Sequence, residues 1–220
     1  MTKEYIFEFQ STKIVARGGP ISLPPDLRYN HVLQLRPQNC VVLPESVVLK
    51  METSEQSGLF DNEASIYHQL QPLQGIIIPK YLGLASIEGK RAHLLSDIGG
   101  MAMIKEEMPR FERATLQNMI SLPIRLIREH GVRLEDLSMY NVHLCGEAFC
   151  IVDLAHARIV TPEATGADAE DHDQVQDLVE RFQSRQDALI SLAKPVKRHR
   201  RGRLGNRPTA TGRVSKPLRE

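Results

Sequence analysis

The chain lacks tryptophan and contains few aromatic residues of any kind. Phe, Tyr and Trp together account for 5% of its 220 residues, whereas the apolar content of 41% is ordinary for a globular protein. A core must therefore be built mainly from aliphatic side chains. The length is sufficient for one sizeable domain or for two smaller units that share a cleft.

Long hydrophobic runs are also missing. No segment approaches the roughly 20 apolar residues of a membrane span, and residues 1–5 lack the apolar region of a secretory signal. The three cysteines, Cys40, Cys145 and Cys150, are an odd number without metal-ligand spacing, so we predict reduced thiols. These features indicate a cytoplasmic or nuclear protein that does not enter a membrane.

Charge is distributed unevenly, although the formal net charge is only +1. Residues 194–220 contain ten Lys or Arg and one acid, whereas the rest of the chain has 18 basic and 26 acidic residues. Too few apolar residues remain in this basic tail to form a core, so we predict that it is disordered. It could be a solvated extension, a nuclear address or nucleic-acid contact, or a segment that folds back on the acidic body.

The most informative stretch runs from residue 133 to residue 157. It contains Asp136, then Asn141 five positions later, then two short apolar strands around a turn at Gly146-Glu147, and Asp153 at the end of the second strand. A tight hairpin places the start of one strand beside the end of the next, so Asn141 and Asp153 are predicted to lie close together. Their oxygen atoms suit a divalent cation and a bound phosphate.

This pattern resembles the catalytic loop and metal-binding aspartate of protein-kinase-like phosphotransferases. That family has H-R-D-x-x-x-x-N followed by D-F-G, and here Leu134-Glu135-Asp136 and Asp153-Leu154-Ala155 stand in place of the two aspartate motifs. The resemblance covers roughly Leu35 to Ala193 and is to compact members, such as aminoglycoside phosphotransferases and reduced kinase-like families of fungi. It implies an α+β, two-lobed fold with a small antiparallel-sheet N-lobe and a truncated helical C-lobe.

The same resemblance assigns roles to individual residues, with ATP and Mg²⁺ as cofactors. Asp136 would accept or orient the proton of the acceptor hydroxyl, while Asn141 and Asp153 would hold Mg²⁺. Lys50, at the end of the strand that begins at Val47, would bind the nucleotide phosphates. Glu63 would hold Lys50 from a following helix.

Two further features complete the expected nucleotide site. The helix that carries Glu63 is predicted to be capped by Asp61-Asn62 and to run to Pro72. The strand 91–97 resembles the hinge of the family, where the backbone of four residues would bond an adenine edge; these are Leu95, Ser96, Asp97 and Ile98.

The pattern of turns and periodic segments divides the chain into four parts. We predict an irregular N-terminal extension over 1–30, in which Tyr5–Phe9 could form a short strand, an N-lobe of sheet and one helix over 31–98, a reduced C-lobe over 99–193 and the basic tail over 194–220. Within them we predict a turn at Arg17–Pro20, strands at Cys40–Leu43 and around Ile76–Ile78, and a helix over 113–131 kinked by Pro123.

Three functions remain open. The first is an ATP- and Mg²⁺-dependent phosphotransferase that transfers the γ-phosphate to a hydroxyl of a protein or small molecule. The second is a pseudokinase that binds nucleotide or serves as a scaffold, favoured by Glu135 beside Asp136 and by Gly18-Gly19, which lacks the G-x-G-x-x-G spacing of a phosphate-covering loop. The third is nucleic-acid binding through the basic tail.

Overall fold

A computed structural model describes residues 3–21, 31–54, 57–160 and 167–193. Six strands form a closed antiparallel barrel: β1 (Lys3–Phe9), β2 (Thr12–Pro20), β3 (Val32–Pro37), β4 (Val47–Met51), β5 (Tyr81–Ile87) and β6 (Lys90–Ser96). The three helices are α1 (Ser57–Gln69), α2 (Arg113–Glu129) and α3 (Ala167–Ala193). Short strands make two small sheets: β7 (Met101–Ala102), β8 (Val132–Arg133), β9 (Val142–Cys145), β10 (Ala148–Ile151) and β11 (Arg158–Ile159).

The barrel is built from strands whose side chains alternate between the inside and the outside. Its order is β1-β2-β3-β4-β6-β5, and β5 pairs with β1 to close it. Inward residues such as Phe7, Ile14, Leu35 and Leu49 are buried, because successive side chains of a strand point to opposite faces. Gly18 is required where β2 and β3 approach, since a Cβ there would lie 1.9 Å from the carbonyl oxygen of Gln34.

A second hydrophobic cluster lies outside the barrel. It joins α1, α2, α3 and the β9–β10 hairpin, with Tyr67, Leu116 and Phe182 among its most buried members. Helices α2 and α3 run antiparallel, as two ion pairs indicate: Arg128 near the end of α2 pairs with Asp171 near the start of α3 at 2.7 Å, and Arg113 at the start of α2 pairs with Glu180 in the middle of α3 at 2.7 Å.

The expected two-lobed α+β fold, with a small antiparallel-sheet N-lobe and a truncated helical C-lobe, is wrong. The chain forms a closed six-stranded antiparallel barrel with three helices and small additional sheets. The error began with residues 1–30, which were expected to be an extension with one short strand at Tyr5–Phe9. That strand is part of β1, but residues 12–20 form a second strand, β2, and β1 pairs with β5 at the edge that an open sheet would have left exposed.

Several local predictions also need correction. Arg17–Pro20 is not a turn but the end of β2, paired with β3. Cys40–Leu43 is a loop in which Val41 is fully exposed, and residues 75–77 form a turn, after which Ile78 makes an isolated bridge to Gln74. Helix α1 begins at Ser57, so Asp61-Asn62 lie within it and do not cap it.

Other predictions are confirmed or lie beyond the described residues. The β9–β10 hairpin, strand β4 and helix α2 with Pro123 inside it are confirmed. No helix among the described ranges is long and apolar enough to cross a membrane. The basic tail, 194–220, and residues 22–30 of the expected extension lie outside the described residues.

Candidate functional site

A cavity of about 520 Å³ lies between the barrel wall, helix α1 and the β9–β10 hairpin. Its apolar surface includes Val32, Val48, Leu95 and Val152. Eight of the nine side chains and backbone positions singled out from the sequence line it: Lys50, Glu63, Leu95, Ser96, Asp97, Ile98, Asn141 and Asp153. The ninth, Asp136, is not part of this lining. The fold therefore gathers residues that are far apart in the chain around one concave surface.

Three charged side chains meet in the cavity. The Nζ atom of Lys50 lies 2.7 Å from Oε2 of Glu63 and 2.7 Å from Oδ1 of Asp153. Glu63 is almost wholly buried, with 1% of its side chain exposed, whereas 34% of the Asp153 side chain is exposed. The cluster carries one net negative charge when all three groups are ionised. Asp153 is the most solvent-exposed of its three side chains.

Strand and helix periodicity explain how Lys50 and Glu63 reach the cavity. In β4, Val47 and Leu49 point into the barrel, so Lys50 points outward, towards α1. On α1, Glu63 shares one helical face with the buried side chains of Phe60, Ile66 and Tyr67. An acid on an otherwise apolar face needs a partner, and Lys50 supplies it.

The β9–β10 hairpin positions Asp153 beside Asn141. Val152 N–H donates to the carbonyl oxygen of Asn141 at 2.8 Å, immediately before Asp153. Asp153 has φ of 64°, in the left-handed region, where Asp and Asn are tolerated better than most residues. Its Oδ1 also accepts a hydrogen bond from Ala155 N–H at 3.3 Å, and the next residue, Leu154, donates its N–H to Oε1 of Glu63 at 3.2 Å. Glu63 thus contacts both Lys50 and the backbone that follows Asp153.

Asn141 connects the cavity to Asp136. The Asn141 side chain is buried, and its Nδ2 donates to the carbonyl oxygen of Asp136 at 3.2 Å and lies 3.5 Å from Oδ2 of Asp136. Asp136 itself is exposed. The expected catalytic carboxylate therefore lies on the outer side of Asn141, next to the cavity and open to a molecule arriving from solvent. Neighbouring Glu135 pairs with Arg158 at 2.8 Å.

The four expected adenine-binding positions differ in what their backbone already contacts. Leu95 pairs with β4 and β5 on its two sides, and Ser96 N–H donates to the carbonyl oxygen of Lys80 at 2.8 Å. Asp97 N–H donates to Ser46 O at 3.3 Å. The N–H groups of Ser96 and Asp97 are therefore already bonded within the protein, and the part that the four positions play in adenine binding stays a prediction.

The Asp97 side chain has a structural role that the sequence did not reveal. Its Oδ2 accepts hydrogen bonds from Gln34 Nε2 at 2.6 Å and from Ser46 Oγ at 2.7 Å, and its Oδ1 accepts from Gly99 N–H at 2.8 Å. Burial alone would raise the pKa of Asp97, but these hydrogen bonds lower it below its ordinary value. The Asp97 carboxylate thus connects Gln34, Ser46 and Gly99 at the rim of the cavity.

The electrostatics of the cluster follow from burial and pairing. Burial alone would lower the pKa of Lys50, but the charges of Glu63 and Asp153 outweigh it and raise that pKa. Burial raises the pKa of Glu63, and the Lys50 charge offsets this only in part. Burial would also raise the pKa of Asp153, but Lys50 reverses the direction and lowers it. Lys50 and Asp153 are therefore charged near neutral pH.

Two oxygen-bearing side chains in the cavity fit a magnesium ion. Asn141 Nδ2 is directed to Asp136, which leaves the amide oxygen for a cation, and Asp153 contributes a carboxylate. The described residues contain no group of three or more His, Cys, Asp or Glu that could hold a metal by themselves. Mg²⁺ is commonly held by one or two carboxylates together with substrate phosphates and water, so this donor set suits a metal that arrives with a nucleotide.

Three residues of the site were not found by reading the sequence. Asn62 on α1 donates from Nδ2 to the carbonyl oxygens of Ala155 and Ala157, at 2.9 and 2.8 Å, and so ties α1 to the segment after Asp153. Tyr67 lines the cavity, and burial raises its pKa well above the ordinary value. His93, buried behind Glu63, stacks on Phe60 at 3.7 Å. Of these three residues, only Tyr67 could be singled out from the sequence, because it lies among the apolar residues of α1. That pattern indicated a core residue and not a site residue.

No protein-family model matches the chain, and no curated protein sequence matches it.

Proposed function

We propose that this chain is an ATP- and Mg²⁺-dependent phosphotransferase that transfers a γ-phosphoryl group to a hydroxyl. The observation that carries the proposal is the ion cluster of Lys50, Glu63 and Asp153, with both distances from the ammonium group at 2.7 Å, on the wall of a cavity large enough for a nucleotide. The resemblance to protein-kinase-like phosphotransferases lies in these site residues and not in the barrel.

Each site residue has a physical task in this reaction. Lys50 offsets negative charge on the phosphates, and Glu63 holds its ammonium group in place. Asn141 and Asp153 hold Mg²⁺, which neutralises charge on the phosphate oxygens when bound. Asp136 accepts the proton of the attacking hydroxyl. Such a site works by positioning and by electrostatics, so each lost group is expected to raise the barrier by several kcal/mol.

The adenine ring is expected to lie against the apolar half of the cavity. The apolar side chains of Val32, Val48 and Leu95 line this half of the cavity and are expected to contact the faces of the ring. Backbone groups beyond Asp97 are expected to bond its edge. Binding pockets are commonly apolar with a few well-placed polar groups, which is the composition seen here.

A thermal-shift measurement tests nucleotide binding directly. A ligand that binds only the folded state raises the melting temperature, so ATP with Mg²⁺ is expected to stabilise the wild-type chain more than ATP alone. Asp153→Asn keeps a side chain that tolerates positive φ but removes the charge, so the Mg²⁺-dependent part of the shift is expected to disappear. An unchanged Mg²⁺-dependent shift in Asp153→Asn would contradict the proposed metal site.

The second candidate is a catalytically impaired protein that binds nucleotide or a partner. Two observations favour it: Asp136 does not line the cavity, and Glu135 adds a second acid beside it. The assay that separates the two candidates is turnover. Stabilisation by Mg-ATP without ADP release or phosphoryl transfer to any hydroxyl would favour the impaired protein.

We expect a cytoplasmic or nuclear location for either candidate function. All three cysteines are free thiols in the structure, which suits a reducing compartment.

A further inference from the structure

Two cysteines lie on one face of the β9–β10 hairpin. The strand register pairs Cys145 with Ala148 and Cys150 with His143, so the two cysteines are diagonal neighbours across the hairpin. Residues at such positions project from the same face, because side chains alternate along each strand. Both cysteines are free thiols in the structure. The hairpin of the candidate site therefore also brings two thiols together.

The two thiols are in direct contact with each other. A side-chain hydrogen bond joins Cys145 and Cys150; it lowers the pKa of Cys150, although burial opposes this, and it raises the pKa of Cys145. The thiolate, and not the thiol, is the nucleophile in cysteine chemistry, so Cys150 is the more reactive member of the pair. Cys145 lies beside it, in the position of a resolving thiol. A disulfide needs little movement of the hairpin, because the two side chains already touch.

A small oxidant has a short path to both sulfur atoms. Cys145 is partly exposed to solvent. Cys150 is buried, and its Sγ lies 3.6 Å from the carbonyl oxygen of Ile76, a residue of the turn 75–77 whose side chain is 67% exposed. Hydrogen peroxide can therefore reach Cys145 directly and Cys150 past this turn. The third cysteine, Cys40, packs against the separate cluster inside the barrel and serves as an internal control.

Cys145 also contacts the rim of the cavity. Its Sγ lies 3.8 Å from the carbonyl oxygen of Gly99, and a Cβ on Gly100 would lie 2.5 Å from the same sulfur. Both glycines line the cavity, and both have positive φ, 64° and 80°. The Cys145 side chain thus packs directly against this glycine pair, at the end of the cavity where the adenine edge is expected. A chemical change at the Cys145 sulfur therefore alters the rim.

From these contacts we propose that Cys145 and Cys150 are a modification site that hydrogen peroxide converts to a reversible disulfide, and that this disulfide weakens ligand binding in the cavity. The Cys150 thiolate attacks one oxygen of the peroxide, the O–O bond breaks, hydroxide leaves and solvent protonates it, and a sulfenic acid remains on Cys150. The Cys145 sulfur then attacks that sulfur and the S–S bond forms, while the sulfenic oxygen leaves as water with the thiol proton of Cys145. The two sulfur atoms lose two electrons in total, which reduce the peroxide to two molecules of water. A thiol reductant reverses the change.

The experiment treats the full, reduced chain with hydrogen peroxide and then alkylates the remaining thiols. Both cysteines fall on the tryptic fragment 134–158, so the disulfide is expected there as a mass lower by two hydrogen atoms, with Cys40 still alkylated. Dithiothreitol is expected to restore both thiols. Cys145→Ser and Cys150→Ser should each abolish the disulfide, whereas Cys40→Ser is the matched control and should leave it unchanged. Alkylation of both thiols in the treated wild type, or oxidation of Cys40 ahead of the pair, would overturn the inference.

The effect on the cavity is measured as the affinity for Mg-ATP, and this part of the inference rests on the proposed function. The disulfide removes the Cys145 S–H that faces Gly99 O, so the oxidised chain is expected to bind Mg-ATP about 2- to 10-fold more weakly than the reduced chain, the range for loss of one hydrogen bond. Cys145→Ser, which cannot form the disulfide, should bind equally before and after peroxide. Equal affinity of the oxidised and reduced wild type would overturn the effect on binding. A chain that binds Mg-ATP in neither form would instead overturn the proposed function, and the mass measurement would still decide the disulfide.

Discussion

Removal of the Lys50 charge is expected to destabilise the fold strongly, because two carboxylates would then face each other without a cation. Lys50→Met preserves most of the side-chain length and removes the ammonium group. Breaking a buried ion pair by removal of one partner typically costs about 3–5 kcal/mol of unfolding free energy. Glu63 is 1% exposed and lies 2.7 Å from the ammonium group, so its charge cannot turn to solvent, and we expect a loss in that range.

Glu63→Gln is a milder change because part of its bonding survives. The Gln side chain can still accept from Leu154 N–H, and Lys50 keeps Asp153 as a partner at 2.7 Å. The expected loss is about 1.5–3 kcal/mol, that of one hydrogen bond to a charged group. In the double variant, Glu63→Gln removes the buried negative charge that Lys50→Met leaves unpaired, so the combined loss should be smaller than the sum by at least about 1 kcal/mol.

Urea denaturation followed by circular dichroism gives the three free energies by linear extrapolation. Lys13→Met on β2, where the lysine is exposed, is the control and should change stability by less than about 0.5 kcal/mol. Additivity of the two single variants within about 0.5 kcal/mol would refute the reasoning. So would an equal loss for Lys50→Met at all pH values, because protonation of Glu63, whose pKa burial raises, should relieve the unpaired charge as the pH falls.

Two other predictions concern neighbours of the cluster. Asn62→Ala removes both hydrogen bonds from α1 to the segment after Asp153. It is expected to lower the free energy of unfolding, measured by urea denaturation, by about 1–3 kcal/mol and to weaken Mg-ATP binding. Ser65→Ala, whose hydroxyl contacts only its own helix, is the control and should change neither quantity. Burial lowers the pKa of His93 to about 4. As the pH falls below about 6.5, the unfolded chain therefore binds a proton at His93 before the folded chain does. The free energy of unfolding should decrease from there to pH 4 by up to about 1.4 kcal/mol per pH unit. His93→Phe should reduce that slope; a slope equal to that of the wild type would contradict the assignment.

Local patterns in the sequence predicted individual elements, but long-range pairing decided the architecture. The β9–β10 hairpin and helix α2 have clear periodicity and turn residues, and both are confirmed. Closure of the barrel depends on β1 pairing with β5, where Phe7 lies opposite Ile87. Such contacts between distant segments leave no signal in either segment alone, which is why the short strand predicted at Tyr5–Phe9 is confirmed but its place in a closed barrel was not foreseen. Ile77 is similarly misleading: it is buried, as a strand residue would be, but it lies in a turn.

The site was more accessible to sequence reasoning than the fold, and for a physical reason. Lys50 and Asp153 stand out because a charged group ends an apolar strand, and a buried charge requires a partner. Glu63 follows two polar residues and was selected only through the resemblance. Asn62 and Asp97 gave no such signal, because their hydrogen-bond partners lie in segments distant in sequence: the carbonyl groups of Ala155 and Ala157 for Asn62, and the side chains of Gln34 and Ser46 for Asp97. Asp97 was therefore chosen for its backbone, whereas the structure gives its carboxylate three hydrogen bonds at the cavity rim.

Chemistry at this site requires only that one strand, one helix and one hairpin be held in fixed relation. Glu63 meets that requirement, because one of its oxygens contacts the ammonium group of Lys50 on the barrel and the other accepts from the backbone that follows Asp153. A shift of α1 would therefore displace the Lys50 ammonium group and the Asp153 carboxylate together. Since function depends on such sites and not on fold class, a closed barrel is as able to support phosphoryl transfer as the two-lobed fold that was expected. The proposed activity therefore depends on α1 and the three charges, whereas exposed positions of β1, β2 and β5, strands that contribute no residue to the cavity lining, should tolerate substitution without loss of nucleotide binding.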